Sequence, residues 1–170
     1  MDRAQSKPLL LIADANPENV DVLKAILTPD YDIRVAADAG ETIRLASSAD
    51  PPELILLDGM MPAADLTGIF EKLKSDKSNW DIPIVLLAEP TTEDTEAKGF
   101  ELGAADYLAK PFKRSVVRAR IRTHLELKRY RDDFENQVKM QVSNPDQDIQ
   151  EDRNIEDTYR LLVENARDGI

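Results

Sequence analysis

Three charged residues that could do chemistry each stand at the end of a short apolar run: Asp14, Asp58 and Lys110. A carboxylate can attack a phosphoryl group and become an acyl phosphate. Mg²⁺ usually takes one or two carboxylates plus water, and a lysine ammonium binds phosphoryl oxygens as a point charge. Brought together, these side chains could carry Mg²⁺-dependent phosphoryl transfer, with a backbone carbonyl near Met60 as a further metal ligand.

The apolar runs predict the elements that would bring these residues together. "PLLLIA" (8–13) is short and uniformly apolar, as in a strand buried on both faces. Strand-like and helix-like segments alternate five times in about 110 residues, which predicts an α/β fold with a parallel, doubly wound sheet. In such sheets the ligand site lies at the carboxyl ends of the strands. Ala88, at the end of the fourth strand, is therefore expected beside the three charged residues.

The composition narrows the classes of protein and of partner. A chain of 170 residues has room for one domain of roughly 100–150 residues and a further segment. The absence of cysteine excludes disulfides and thiolate metal sites, and no apolar window approaches the ~20 residues of a membrane span. A formal net charge of −11 argues against nucleic acid as a direct partner. We therefore expect a cytoplasmic protein without a membrane partner.

The charge pattern changes near residue 131. Eight basic residues and a single acid lie from Lys113 to Arg131, whereas eleven acids lie from Asp132 to the end. The basic run favours a solvated helix face or a dimer interface. Residues 112 to about 142 contain no proline or glycine and predict a long C-terminal helical extension. We expect a homodimer through this helix, and its imperfect heptad spacing leaves a coiled coil open.

Four segments carry a resemblance to a known family: "LLLIADANPEN", "PELILLDGMMP", "IPIVLLA" and "GFELGAADYLAKPF". In order and spacing they resemble the receiver domain of bacterial two-component response regulators over about residues 7–125. The resemblance implies a five-stranded flavodoxin-like sheet with strand order 2-1-3-4-5. It also implies a histidine kinase or phosphotransfer protein as the partner that donates a phosphoryl group.

The resemblance assigns a role to each residue at the predicted edge of the sheet. It implies Asp58 as the phosphoacceptor and Lys110 as the contact to the phosphoryl group. Asp14 belongs to the implied acidic pocket for Mg²⁺, with Asp58 and the backbone carbonyl of Met60. Tyr107 falls where the family keeps an aromatic residue that turns inward on activation.

Two residues depart from the family pattern. Ala15 replaces the second of two adjacent acids, the one that normally touches the metal directly, so Mg²⁺ binding is expected to be weak or absent. Ala88 replaces a Thr or Ser whose hydroxyl bonds the phosphoryl group, and losing one such hydrogen bond costs about 0.5–1.5 kcal/mol. Whether Glu89, just beyond Ala88, compensates by reaching the site stays open.

These observations lead to one functional hypothesis and two alternatives. The hypothesis is a phosphorelay receiver module, not itself an enzyme, that accepts a phosphoryl group on Asp58 and signals through its C-terminal helix to an output domain. The first alternative, favoured by Ala15 and Ala88, is a pseudo-receiver that serves for docking or dimerisation without phosphorylation. The second is an aspartyl-phosphate phosphatase, which would need a second carboxylate where Met60 stands. The kinase, the input signal and the oligomeric state stay open.

The C-terminal segment "TYRLLVENARDGI" (158–170) resembles the opening helix of a PAS sensory domain. The predicted organisation is a receiver domain at 1–125 and, at 126–170, a helical linker that leads into a truncated PAS-like segment. A histidine kinase or a diguanylate cyclase could follow as the output domain. His124, on the long helix, has no kinase-type sequence around it, and we expect a packed or solvated residue rather than a phosphoryl donor.

Overall fold

The computed structural model describes residues 6–61, 66–77, 79–89, 93–141 and 160. Within these residues, five strands alternate with five helices along the chain. Their bounds are β1 (Leu9–Ala13), α1 (Pro17–Leu27), β2 (Asp32–Ala36), α2 (Ala39–Ala46), β3 (Leu54–Asp58), α3 (Leu66–Ser75), β4 (Ile84–Ala88), α4 (Glu93–Leu102), β5 (Asp106–Ala109) and α5 (Arg114–Gln141).

The five strands form one parallel sheet in the order β2-β1-β3-β4-β5. Every residue of β3 and β4 is buried, as their uniformly apolar sequences require. The predicted α/β fold, its strand order and its long C-terminal helix are thus confirmed. Because the strands run the same way, their carboxyl ends lie together. We call this edge, which carries Asp14, Asp58, Ala88 and Lys110, the site edge.

Buried side chains hold the central strands in place beneath the site edge. Ile55 and Leu57 of β3 and Leu86 of β4 belong to one apolar cluster with Phe70 of α3. Full burial of each such side chain contributes roughly 1.5–3 kcal/mol relative to exposure. The strand end that carries Asp58 therefore has little freedom to move.

The first helix begins as its sequence predicts. Asn16 caps it by accepting a hydrogen bond from Glu18 N at 2.9 Å, and Pro17 occupies the first helical turn. The last helix begins slightly later than predicted, at Arg114. Its start is set by the backbone bond from Val117 N to Lys113 O at 2.9 Å.

The chain divides into two compact units, Met1–Ile121 and Arg122–Ile170. The whole sheet belongs to the first unit. Residues 142–170 of the predicted helical linker and PAS-like segment lie outside the described residues, except position 160. In the part of the chain that is described, no helix is both long enough and apolar enough to cross a membrane.

Within the second unit, the described part of α5 is largely polar. Lys128 forms an ion pair with Asp132 at 2.9 Å, four residues along the helix. Two aromatic residues are nevertheless exposed, Tyr130 at 63% and Phe134 at 50%. They lie four residues apart and so share one face of the helix.

The turn between α4 and β5 contains Gly103 in a backbone conformation that favours glycine. Its φ is 114°, which side chains with a Cβ rarely adopt, and its N–H donates to Gly99 O at 3.1 Å. We expect Gly103→Ala to lower the free energy of unfolding by about 1–3 kcal/mol, measured by urea denaturation. The matched control is Gly40→Ala in α2, where a Cβ has space and should raise this free energy by about 0.5–1 kcal/mol. Equal unfolding midpoints for the two variants would contradict the turn geometry.

Candidate functional site

Asp58, the last residue of β3, is held by the tight turn that follows it. Its Oδ1 accepts a hydrogen bond from Met60 N at 3.0 Å, and its backbone oxygen accepts one from Met61 N at 3.3 Å. Gly59 N donates to Leu87 O of β4 at 3.0 Å, which ties the turn to the next strand. Asp58 is only 6% exposed. Its Oδ2 accepts no hydrogen bond from the residues that the structure describes.

Lys110 brings a positive charge to the site edge. Its ammonium lies 3.5 Å from Asp58 Oδ1 and 3.7 Å from Glu89 Oε1. Its backbone N–H donates to Ala88 O at 2.9 Å, and its peptide bond to Pro111 is cis. One cation therefore lies between two carboxylates, and Ala88 beside it contributes a backbone acceptor but no side-chain donor.

Asp14, directly after β1, is buried, and both of its carboxylate oxygens accept hydrogen bonds. Oδ1 accepts from Asn16 N at 2.8 Å, and Oδ2 accepts from Asn19 Nδ2 at 3.1 Å. Burial raises the pKa of Asp14 above its ordinary value of 3.8, and the negative charge of Asp58 raises it further. The two hydrogen bonds and the charge of Lys110 oppose this rise in pKa. Asp14, Asp58 and Lys110 are thus close enough to influence one another.

The oxygen atoms of the site edge suit one hydrated Mg²⁺ ion. Asp14 and Asp58 offer carboxylates, and Met60 offers a backbone carbonyl nearby in the chain. Ala15 offers no side-chain ligand. Across the described ranges, no three His, Asp or Glu side chains are grouped so that they could hold a metal ion. Since Mg²⁺ accepts one or two carboxylates with several waters, the donor set fits this ion while lacking a third acid.

Tyr107 of β5 is held by contacts from two helices. Its ring meets Phe100 of α4 edge-on, with ring centres 6.0 Å apart. The guanidinium of Arg120 in α5 lies 5.5 Å from the centre of the same ring. Arg120 also donates to Tyr107 O at 2.7 Å and to Asp106 Oδ1 at 2.9 Å. The ring packs against the apolar cluster beside the sheet, so its position is coupled to α5.

Sequence reasoning missed two of these side chains. Asn19 lies one helical turn after the cap residue Asn16 and therefore on the same face of α1. This spacing could have predicted that Asn19, like Asn16, contacts Asp14. Arg120 belongs to the basic run that is expected to be solvated or to form an interface, yet its side chain is only 19% exposed because it turns to Asp106. His124 is buried, so of the two states expected from the sequence, packed or solvated, the structure shows the packed one.

A family model for the response regulator receiver domain matches residues 10–122. The chain belongs to this family. As a receiver domain, it is a module of two-component signalling. The match includes Asp14, Asp58, Tyr107 and Lys110 and ends before the PAS-like phrase, which stays a prediction.

Two curated relatives are longer proteins. The chain is 33% identical over 132 residues to a probable cyclic di-GMP phosphodiesterase of Vibrio cholerae, covering 78% of this chain and 30% of that protein. It is 36% identical over 115 residues to the response regulator PleD of Caulobacter vibrioides, covering 67% of this chain and 25% of that protein. The matched part therefore spans less than a third of either relative.

A solved structure shares the fold. It is the receiver domain of a sensor histidine kinase from Pseudomonas aeruginosa, with a magnesium ion coordinated in its active-site cleft. The TM-score is 0.65 and the sequence identity 24%, over 71% of this chain and 99% of that one. At this identity the likeness supports the fold of the first unit and no residue role.

The raised pKa of Asp14 predicts how stability changes with pH. When the pKa of a carboxyl group is higher in the folded state than in the unfolded state, the free energy of unfolding falls as pH rises between these two pKa values. Asp14→Asn removes this loss. Above pH 3.8, we expect the free energy of unfolding of the variant to increase relative to that of the wild type. This difference should grow by at most about 1.4 kcal/mol per pH unit, until pH exceeds the raised pKa of Asp14.

Urea denaturation on both sides of pH 3.8 measures this difference. The matched control is Asp21→Asn on the exposed face of α1, which removes an equal charge without relieving a buried carboxylate. An equal gain in the control, or a gain at Asp14 that does not change with pH, would contradict burial as the cause.

Proposed function

We propose that Asp58 receives a phosphoryl group from the phosphohistidine of a histidine kinase or phosphotransfer protein, and that the signal passes through α5 to an output domain. The observation that carries this proposal is the asymmetry of the Asp58 carboxylate. Met60 N and Lys110 hold Oδ1, while Oδ2 accepts no hydrogen bond within the described chain. A carboxylate fixed through one oxygen presents the other at a defined position, as nucleophilic attack requires.

The transfer exchanges one bond to phosphorus for another. Asp58 Oδ2 forms a bond to phosphorus as the phosphorus–nitrogen bond of phosphohistidine breaks, and the electron pair of that bond stays on the imidazole nitrogen. Lys110, already beside Oδ1, offsets the negative charge of the phosphoryl oxygens. Asp14, Asp58 and the Met60 carbonyl would hold Mg²⁺, which would supply further positive charge to offset that of the phosphoryl group.

The two alanines weaken this chemistry in different ways. Ala88 removes one hydrogen bond to the phosphoryl group, worth about 0.5–1.5 kcal/mol, which weakens the phosphorylated conformation without preventing transfer. Ala15 removes a carboxylate that would bind the metal, so more Mg²⁺ is needed to populate the reactive complex. The proposed site therefore works at a higher Mg²⁺ concentration than a site with both acids.

A pseudo-receiver is the second candidate, and Ala15 and Ala88 favour it. In that role Asp58 and Lys110 form a structural ion pair, and the fold serves as a docking or dimerisation module. The exposed aromatic face of α5, formed by Tyr130 and Phe134, is a surface that a second copy could cover.

The domain boundaries, the output domain and the location of the protein are part of the same proposal. We place the end of the receiver domain near residue 125, with residues 126–170 as a helical linker toward a PAS-like segment. The end of the family match at residue 122 supports this boundary. The matched parts are 30% and 25% of the two relatives, which supports an output domain, such as a histidine kinase or a diguanylate cyclase, in the whole protein. A histidine kinase partner also favours a cytoplasmic location.

Intact-mass measurement after incubation with acetyl phosphate tests the proposal. We expect the wild-type chain to gain the mass of one phosphoryl group when Mg²⁺ is present, because the metal and Lys110 together offset the charge of the phosphoryl oxygens. The gain should fall at least about tenfold without Mg²⁺.

Asp58→Asn is the matched control, since it keeps the side-chain shape and removes the nucleophile. Uptake by this variant would contradict Asp58 as the phosphoacceptor. No uptake by the wild type at millimolar Mg²⁺, from acetyl phosphate and from a phosphorylated histidine kinase alike, would favour the pseudo-receiver.

A further inference from the structure

Glu89 follows directly after β4 and reaches across the site edge to Lys110. Its Oε1 lies 3.7 Å from the Lys110 ammonium, nearly the same distance as the 3.5 Å between that ammonium and Asp58 Oδ1. The Glu89 side chain is 52% exposed, whereas that of Lys110 is 13% exposed. A carboxylate at the open side of the cleft therefore shares the cation that lies beside the reacting residue.

We propose that Glu89 competes with the incoming phosphoryl group for Lys110 and so restrains phosphorylation of Asp58. This inference rests on the proposed function. Ala88 provides no hydroxyl to bond the phosphoryl group. Among the described side chains of the site edge, Lys110 is the one that brings a positive charge beside Asp58. Any interaction of Lys110 with Glu89 must weaken before the ammonium can turn fully toward those oxygens.

The sign of the effect separates this competition from a supporting role. If Glu89 aimed Lys110 correctly at the phosphoryl group, its removal would slow phosphoryl transfer. If Glu89 competes, its removal frees the ammonium and speeds transfer. A partly exposed ion pair is worth little in water, so the expected change is modest, about two- to fivefold in rate.

The experiment measures the initial rate of phosphoryl uptake from acetyl phosphate at fixed Mg²⁺, by intact mass. We expect Glu89→Gln to be about two- to fivefold faster than the wild type. The matched control is Glu101→Gln, an exposed residue near the end of α4. Because α4 runs back toward the start of β5, Glu101 lies toward the opposite edge of the sheet. This control removes the same charge and should keep the wild-type rate.

A second pair of variants tests whether the effect passes through Lys110. In the Lys110→Ala background, adding Glu89→Gln should change the rate by less than about 1.5-fold, because the shared cation is gone. An acceleration that persists there would overturn competition for Lys110 and leave simple repulsion of the anionic donor as the cause.

The outcomes separate the inference from the proposed function. Uptake by the wild type with an equal or slower rate in Glu89→Gln overturns the competition and leaves phosphorylation of Asp58 intact. Uptake that is about two- to fivefold faster in Glu89→Gln than in the wild type, without such a gain in the Lys110→Ala background, supports the competition. No uptake by any of the variants or by the wild type overturns both.

Discussion

Two carboxylates placed at one buried edge of the sheet are the constraint on which the rest of the structure depends. Burial and repulsion from the charge of Asp58 both favour the protonated form of Asp14, which is why its pKa is raised. Hydrogen bonds from Asn16 and Asn19 and the charge of Lys110 act in the opposite direction. The central strands carry Asp58 to this position and are buried along their whole length. The apolar core thus maintains an arrangement that electrostatics alone would disperse.

The site edge carries more negative than positive charge, and Ala15 affects this balance in two ways. Asp14, Asp58 and Glu89 bring three carboxylates, and the ammonium of Lys110 contacts two of them, Asp58 and Glu89. Ala15 has two opposite effects: it removes a negative charge that would need compensation, and it removes a ligand for the cation that could provide that compensation. A phosphoryl group adds further negative charge, so the supply of cations limits what the edge can accept.

The sequence predicts the fold and the position of the site because both follow from local patterns. Uniformly apolar runs identify buried strands, and parallel strands bring their terminal residues to one edge whatever those residues are. The contacts that shape the site do not follow from local patterns. Arg120 has the same neighbours in sequence whether it is solvated or stacked on Tyr107, and only the approach of α5 to β5 decides between these states. The meeting of Glu89 with Lys110 likewise depends on the spacing of two strand ends.

The central claim is that Asp14 and Asp58 still form a site for a metal cation, because Lys110 alone does not balance the negative charges of these carboxylates. Melting temperature as a function of Mg²⁺ at constant ionic strength tests this claim most directly, because a ligand that binds the folded state raises it in a saturable way. The account predicts a saturable rise for the wild type, its loss in Asp58→Asn, and saturation at lower Mg²⁺ in Ala15→Asp. An identical response in the wild type and Asp58→Asn would contradict it.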